Sequence, residues 1–137
     1  MKLSGEAILS LLSRELGARP EITFAYIFGS ILDSDAFRDV DIALYMRQTE
    51  AAVTDSLEYS IRLSGMLERM TGHQVDVIML NTAPDHLIHR ISKGRLTVNR
   101  DDDLRTDFIT RAWSRYFDIQ VKRRAYLKAV AEGTGAP

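Results

Sequence analysis

The sequence contains no cysteine, and this absence excludes several classes of site at once. Without a thiol, the chain can form no disulfide, no zinc–thiolate centre and no cysteine nucleophile. The sequence also lacks any apolar run close to the roughly 20 residues that a membrane-spanning helix needs. Its first residues lack the apolar stretch of a secretory signal. These absences predict a cytoplasmic protein with no membrane partner.

An excess of charge of one sign is also missing. The formal net charge is -1, so no overall attraction to nucleic acid exists and a direct nucleic-acid partner is not expected. The 137 residues are 45% hydrophobic and 27% charged, which is typical of a globular domain with a substantial core. No repeat or linker interrupts the pattern. We therefore predict one domain over residues 1–132 and a flexible tail over residues 133–137.

Hydrophobic periodicity predicts alternating helices and strands, and therefore an α/β (α+β) fold with a long C-terminal helix. The predicted strands cover residues 22–28, 40–46, 74–80 and 95–99, the last at an edge of the sheet. The predicted helices cover residues 3–16, residues 51–70, a segment from near Pro84 to near Lys93, and residues 104–131. Ser4 is a candidate N-cap of the first helix.

Two of these helices carry specific expectations about packing. In the second helix, Val53, Leu57, Ile61 and Leu67 fall within an arc of about 120°, which predicts that this face packs on the sheet. The last helix would be about 42 Å long at 1.5 Å per residue, whereas a small domain is roughly 30 Å across. We therefore expect the last helix to bend or break, or to pack part of its length on a partner.

Two carboxylates stand at the start of the second strand. Because side chains alternate along a strand, Asp39 and Asp41 share one face, whereas Val40, Ile42 and Leu44 share the other and face the core. Neighbouring carboxylates repel each other and raise a pKa unless a cation lies between them, and Mg²⁺ prefers oxygen ligands. The pattern favours a metal site, and the alternative is a solvated acidic pair at a strand start.

A third acid fits the same logic. Asp76 lies within an apolar strand, between Val75 and Val77, where a carboxylate is costly unless it is paired or metal-bound. If this strand lies beside the one that holds Asp39 and Asp41, the paired residues are roughly 5 Å apart. The three acids could then share one or two cations. The alternative is a partly exposed carboxylate on an edge strand.

Gly29 and Ser30 follow directly after the first strand. A Gly-Ser pair at a strand-to-helix turn offers free backbone N–H groups and a hydroxyl, which suits a phosphate group. The pair by itself is a common turn, and it becomes informative only in combination with the three acids. Residues 30–32 could form a helical turn after it.

Other polar residues could bind a metal or nucleic acid, but the sequence pattern favours these functions less than a structural or surface role. His86 and His89 are one helical turn apart, but no further metal ligand is obvious, and a surface or capping role is favoured. The basic segment 122–124 could contact nucleic acid, but it fits a solvated helix face better. Asp33 and Asp35 could reach the acidic site from the loop.

Three segments in combination resemble the signature of the minimal nucleotidyltransferases of the DNA polymerase β superfamily. They are residues 28–30 (Phe-Gly-Ser), 39–44 (Asp-Val-Asp-Ile-Ala-Leu) and 75–77 (Val-Asp-Val). Chain length and element order are also similar to the MntA group, the antitoxin partners of HEPN-domain HepT toxins. The loop between Ser30 and Asp39 is shorter than is usual in the family and lacks its usual Arg-Gly pair. The resemblance implies a polymerase β-like fold with a small mixed sheet and helices packed on it.

The resemblance also implies a function. The chain would be an antitoxin adenylyltransferase that moves AMP from ATP to a tyrosine hydroxyl of a cognate HEPN-domain toxin, in a hetero-oligomer with that toxin. Asp39 and Asp41 would hold two Mg²⁺ ions, Asp76 would hold the catalytic ion, and Gly29 and Ser30 would cradle the β- and γ-phosphates. Two alternatives stay open: a nucleotidyltransferase that acts on a small molecule, and a non-catalytic antitoxin that acts by binding alone.

Overall fold

A four-stranded sheet organises the chain in the computed structural model, which describes residues 3–34, 36–47 and 56–133. The strands are β1 (Ile22–Phe28), β2 (Asp39–Met46), β3 (Gln74–Met79) and β4 (Arg95–Asn99). They lie in the order β3-β2-β1-β4. Strand β1 is antiparallel to both β2 and β4, whereas β3 is parallel to β2. The sheet is therefore mixed, and β3 lies beside β2, which is the condition under which the three acids can meet.

Four α-helices accompany the sheet within the described residues. They are α1 (Gly5–Gly17), α2 (Ser56–Thr71), α3 (Asp85–Ser92) and α4 (Asp102–Ala131), with short 3-10 helices at Ser30–Leu32 and Leu80–Thr82. This architecture confirms the predicted α/β (α+β) class and the long C-terminal helix. The predicted helical residues 51–55 and the predicted tail residues 134–137 lie outside the described residues.

The alternation of side chains along the strands divides the core between the two faces of the sheet. On the first face, Val40, Ile42 and Leu44 pack with buried residues of α1 and α2. On the second face, Phe24 and Ala43 pack with residues of α3 and α4. Strand residues of odd number in β2 and of even number in β3 belong to the second face. The three acids therefore lie on the side of the sheet that α3 and α4 cover.

Side-chain contacts fix the helix ends and the position of α3 against α4. The hydroxyl of Ser4 accepts a hydrogen bond from the amide of Ala7 at 3.3 Å, which confirms Ser4 as the cap of α1. Arg115 of α4 donates two hydrogen bonds of 2.9 Å to the carboxylate of Asp85, at the start of α3. The contact between Arg115 and Asp85 therefore holds the start of α3 against α4.

The orientation predicted for α2 is wrong. Leu67 is buried as expected, but Leu57 and Ile61 are 71% and 63% exposed, and Val53 lies outside the described residues. The helix is turned by polar contacts with the exposed edge of the sheet. Ser64 donates to the carbonyl of Val75, and Glu68 accepts from its amide. Because β3 is an edge strand, its free backbone groups attract these side chains, and the buried stripe shifts accordingly.

Helix α4 is one continuous element of 30 residues, which excludes a break; a bend, or packing of part of its length on a partner, stays a prediction. At 1.5 Å per residue it spans about 45 Å. Its first half packs on the sheet through Leu104, Phe108 and Ala112. Its second half exposes large apolar side chains: Phe117, Ile119, Val121, Tyr126, Leu127 and Val130. No helix in residues 3–34, 36–47 and 56–133 is both long and apolar enough to cross a membrane.

Candidate active site

Strand register brings two of the acids into direct pairing. Phe28 at the end of β1 pairs with Asp41 in β2, and Asp41 pairs with Asp76 in β3. These three side chains form a row across the second face of the sheet. Asp39 lies two residues before Asp41 on the same face, where β2 begins. The structure therefore brings the three predicted acids to one end of the sheet, next to the end of β1.

The turn after β1 lies against the Asp41 carboxylate. Gly29 has a φ of 90° and a ψ of -164°, a combination that is essentially restricted to glycine. A Cβ atom at this position would collide with Oδ2 of Asp41. The absence of a side chain therefore lets the backbone change direction and also lets it approach the acid closely.

Ser30 begins the 3-10 helix that follows this turn, as the sequence predicted for residues 30–32. Both Gly29 and Ser30 are exposed, whereas the next residue, Ile31, is 6% exposed and packs in the core of the first face. The amide of Leu32 donates to the carbonyl of Gly29 at 3.2 Å. The buried side chain of Ile31 and the hydrogen-bonded turn thus hold Gly29 and Ser30 in contact with solvent, beside Asp41.

Burial and neighbouring negative charge both act on the Asp41 carboxylate. Partial burial raises the pKa of Asp41, and the negative charges of Asp76 and Asp39 and a hydrogen bond with Asp76 raise it further. The positive charge of Arg90 opposes this shift. Gln74 also donates a hydrogen bond of 3.3 Å to Oδ1 of Asp76. The carboxylates therefore compete with one another for protons or for cations.

The donor set fits Mg²⁺ by its chemistry. Asp41 and Asp76 place carboxylate oxygens at adjacent register positions, and Asp39 adds a third carboxylate on the same face. A hard cation would offset the cost of burial and the charge repulsion that together raise the pKa of Asp41. Within the described part of the chain, no three His, Cys, Asp or Glu side chains already converge as a complete ligand set.

Arg90 is the residue near this site that sequence analysis missed. It lies in the last turn of α3, and its Cζ atom is 5.9 Å from the centroid of the Phe28 ring. No spacing or motif in the sequence connects Arg90 with Asp41. Its position depends on how α3 packs on the sheet, which only the folded chain shows.

The structure also describes most of the other polar residues that the sequence pattern singled out. Asp33 is exposed in the turn after Ser30, and Asp35 lies outside the described residues. His86 is exposed, as expected for a surface role. His89 is not a surface or capping residue, because it is buried against the rings of Trp113, Tyr116 and Phe117, and burial lowers its pKa. The basic segment 122–124 is exposed on α4.

Substitution of Asp41 by asparagine should raise the melting temperature of the metal-free protein at pH 7 by a few degrees. The raised pKa means that the folded state holds the Asp41 proton more tightly than the unfolded state does. The contribution of Asp41 to the free energy of unfolding therefore falls as the pH rises from 3.8, the ordinary pKa of an aspartate, through the raised pKa of Asp41. Thermal unfolding at pH 7, with and without Mg²⁺, measures both effects.

The matched control for this measurement is Asp118→Asn, which removes an exposed carboxylate from α4. Addition of Mg²⁺ should stabilise the wild type and the control but not Asp41→Asn. A lower melting temperature for metal-free Asp41→Asn would contradict the repulsion described above.

Sequence comparison identifies one family profile in this chain. The profile described as "Polymerase beta, Nucleotidyltransferase" matches residues 11–103. This range is more than half of the 137 residues and includes all four strands, the Gly-Ser turn and the three acids. A comparison with curated proteins gives no match.

Solved structures share the fold at low sequence identity. One is tri-AMPylated Shewanella oneidensis HEPN toxin in complex with MNT antitoxin (19% identity, TM-score 0.66, 93% of this chain and 98% of that chain). Another is the toxin–antitoxin MntA-HepT (20% identity, TM-score 0.60, 93% of this chain and 96% of that chain). A third is a toxin–antitoxin with AMP-PNP (23% identity, TM-score 0.64, 94% of this chain and 99% of that chain).

Proposed function

This chain belongs to the polymerase beta nucleotidyltransferase family, and from that membership we propose that it transfers AMP from ATP to a tyrosine hydroxyl of a HEPN-domain toxin. The modification would neutralise the toxin, and we place the reaction in the cytoplasm. The observation that carries the proposal is the register pairing of Asp41 with Asp76 beside the exposed Gly-Ser turn. Similar folds in complexes that contain an AMPylated toxin or AMP-PNP support the choice of AMP and of a protein acceptor.

Each site residue has a role in this proposal. Asp39 and Asp41 would hold two Mg²⁺ ions, and Asp76 would hold the ion nearest the acceptor hydroxyl. When bound, the two ions would supply charge neutralisation at the attacking and leaving oxygens. Gly29 and Ser30 would hold the β- and γ-phosphates through backbone N–H groups and the serine hydroxyl. The exposure of Asp76, Gly29 and Ser30 leaves room for both substrates.

The chemistry requires the protein mainly to position its substrates. The tyrosine hydroxyl releases its proton to water and its oxygen forms a bond to the α-phosphorus. The bond from that phosphorus to the oxygen that bridges to the β-phosphate breaks, and pyrophosphate leaves. Rigid strands place the acids, and the buried side chain of Ile31 holds the turn that would place the leaving phosphates. Correct alignment of this kind supplies a large part of the rate in such displacements.

The exposed second half of α4 supports the proposal that the hydroxyl that accepts AMP belongs to another protein. Its apolar side chains from Phe117 to Val130 are exposed on a helix that continues beyond the packed core. Exposed apolar surface of this kind favours association with a partner. We propose that the toxin forms a hetero-oligomer with the chain, and that its tyrosine reaches the acids from outside.

Incubation of the purified protein with labelled ATP, Mg²⁺ and a cognate HEPN-domain protein tests this function. We expect the label from the α-phosphate to be transferred to a tyrosine of the partner and the label from the γ-phosphate to be released as pyrophosphate. Chelation of divalent cations should stop the transfer. Absence of transfer to the partner, or transfer only to small molecules such as aminoglycosides, would contradict the proposal.

A further inference from the structure

Arg90 lies beside the acids but has no role in the function proposed above. Its guanidinium lies near the ring of Phe28, with 5.9 Å between Cζ and the ring centroid. Phe28 pairs with Asp41, and Asp41 pairs with Asp76. The arginine therefore extends the row of residues across this face of the sheet, on the side of Asp41 opposite to Asp76.

No carboxylate among the described residues forms an ion pair with the guanidinium of Arg90. Among the described residues it makes no ion pair and no hydrogen bond, although Asp41 is close enough to feel its charge. Other arginines of the same protein differ in this respect: Arg105 pairs with Asp102, and Arg115 pairs with Asp85. Arg90 is also exposed, so its donors remain available to a ligand.

The backbone beneath Arg90 is held tightly. On either side of it in α3, Ile88 and Ile91 are 2% and 0% exposed. Just after the helix, a Cβ atom at Gly94 would lie 2.5 Å from the carbonyl oxygen of Ile27 and 3.0 Å from the Cβ of Phe28. The chain therefore crosses closely over the end of β1, and this contact fixes where the last turn of α3 can place its side chains.

We propose that Arg90 binds the triphosphate of the nucleotide, at the end of β1 where Phe28 leads into Gly29 and Ser30. This inference rests on the proposed function. Even with the two proposed Mg²⁺ ions bound, a triphosphate beside three carboxylates leaves an excess of negative charge, which backbone N–H groups offset only in part. A guanidinium matches two phosphate oxygens at once through its forked donors. The contact with the Phe28 ring holds the side chain near the turn without occupying those donors.

Titration calorimetry with Mg²⁺ present tests this role by comparing three ligands: ATP, inorganic tripolyphosphate and adenosine. Arg90→Ala should raise the Kd for ATP and for tripolyphosphate about 10-fold or more, and leave the Kd for adenosine unchanged. Arg90→Lys should give Kd values between those of the wild type and Arg90→Ala, because lysine keeps the positive charge but loses the two parallel donors of the guanidinium. The control is Arg95→Ala, which removes an exposed arginine that lines a cavity with Glu6 and Arg14 of α1, away from the acids.

The possible results separate this inference from the function on which it rests. If the wild type binds ATP and Arg90→Ala binds ATP and tripolyphosphate equally well, the role of Arg90 is refuted while the proposed function stands. Equal weakening for all three ligands would also refute it, because the arginine would then only shape the site. A wild type that does not bind ATP would overturn the proposed function and this inference together.

Discussion

Replacement of Asp39 and Asp41 together by asparagine should lower the rate of the proposed AMP transfer to a HEPN-domain partner by at least about 100-fold. Asparagine keeps the size of each side chain but removes two of the three negative charges on this face of the sheet. Asp41 is the more central of the two, because it pairs with Asp76 and lies against Gly29. The initial rate of label transfer, with the partner in excess, measures the effect.

The control is Asp33→Asn, which removes an exposed carboxylate from the turn after Ser30 and should leave the rate within about twofold of the wild type. Toxin neutralisation is measured in the same samples. If the double variant loses transfer but still neutralises the toxin, binding alone is sufficient for the antitoxin effect. If it keeps both transfer and neutralisation, the acids are not a catalytic centre.

Gly29→Ala should lower the rate of transfer by about 100-fold, because a displacement of about 1 Å at a reacting centre can cost that much. Two features of the structure act together here. The backbone at Gly29 has a φ of 90°, which alanine adopts only with strain. The added Cβ would also collide with the Asp41 carboxylate. Either the turn at Gly29 or the carboxylate of Asp41 must move to remove this collision, and both are part of the candidate site.

The matched control is Gly17→Ala at the end of α1, where an added Cβ would have no heavy atom within 4 Å. We expect this variant to keep wild-type activity and stability. Circular dichroism should show that Gly29→Ala keeps its secondary structure, so that a lower rate reports the site itself. A Gly29→Ala protein with wild-type transfer would show that the turn is not held as closely against Asp41 as the structure describes.

Local patterns were sufficient to predict most of the strands. The bounds of β1 and β4 agree with the prediction, and Val40, Ile42 and Leu44 are buried as alternation requires. Such patterns succeed because a side chain's face on a strand depends only on its own backbone. The face of α2 that packs on the sheet was predicted incorrectly. Its orientation depends on Ser64 and Glu68 finding the backbone of an edge strand, and the sequence contains no signal for that contact.

By itself, the sequence determined which residues form the candidate site: a Gly-Ser turn, two acids on one face of a strand and a third acid on another strand. Their types and spacing along the chain are local properties. Tertiary structure decided that Asp76 pairs with Asp41, that Gly29 lies against that carboxylate and that Arg90 lies over Phe28. These contacts join segments that are far apart in the chain, so they depend on strand order and helix packing, which no local pattern specifies.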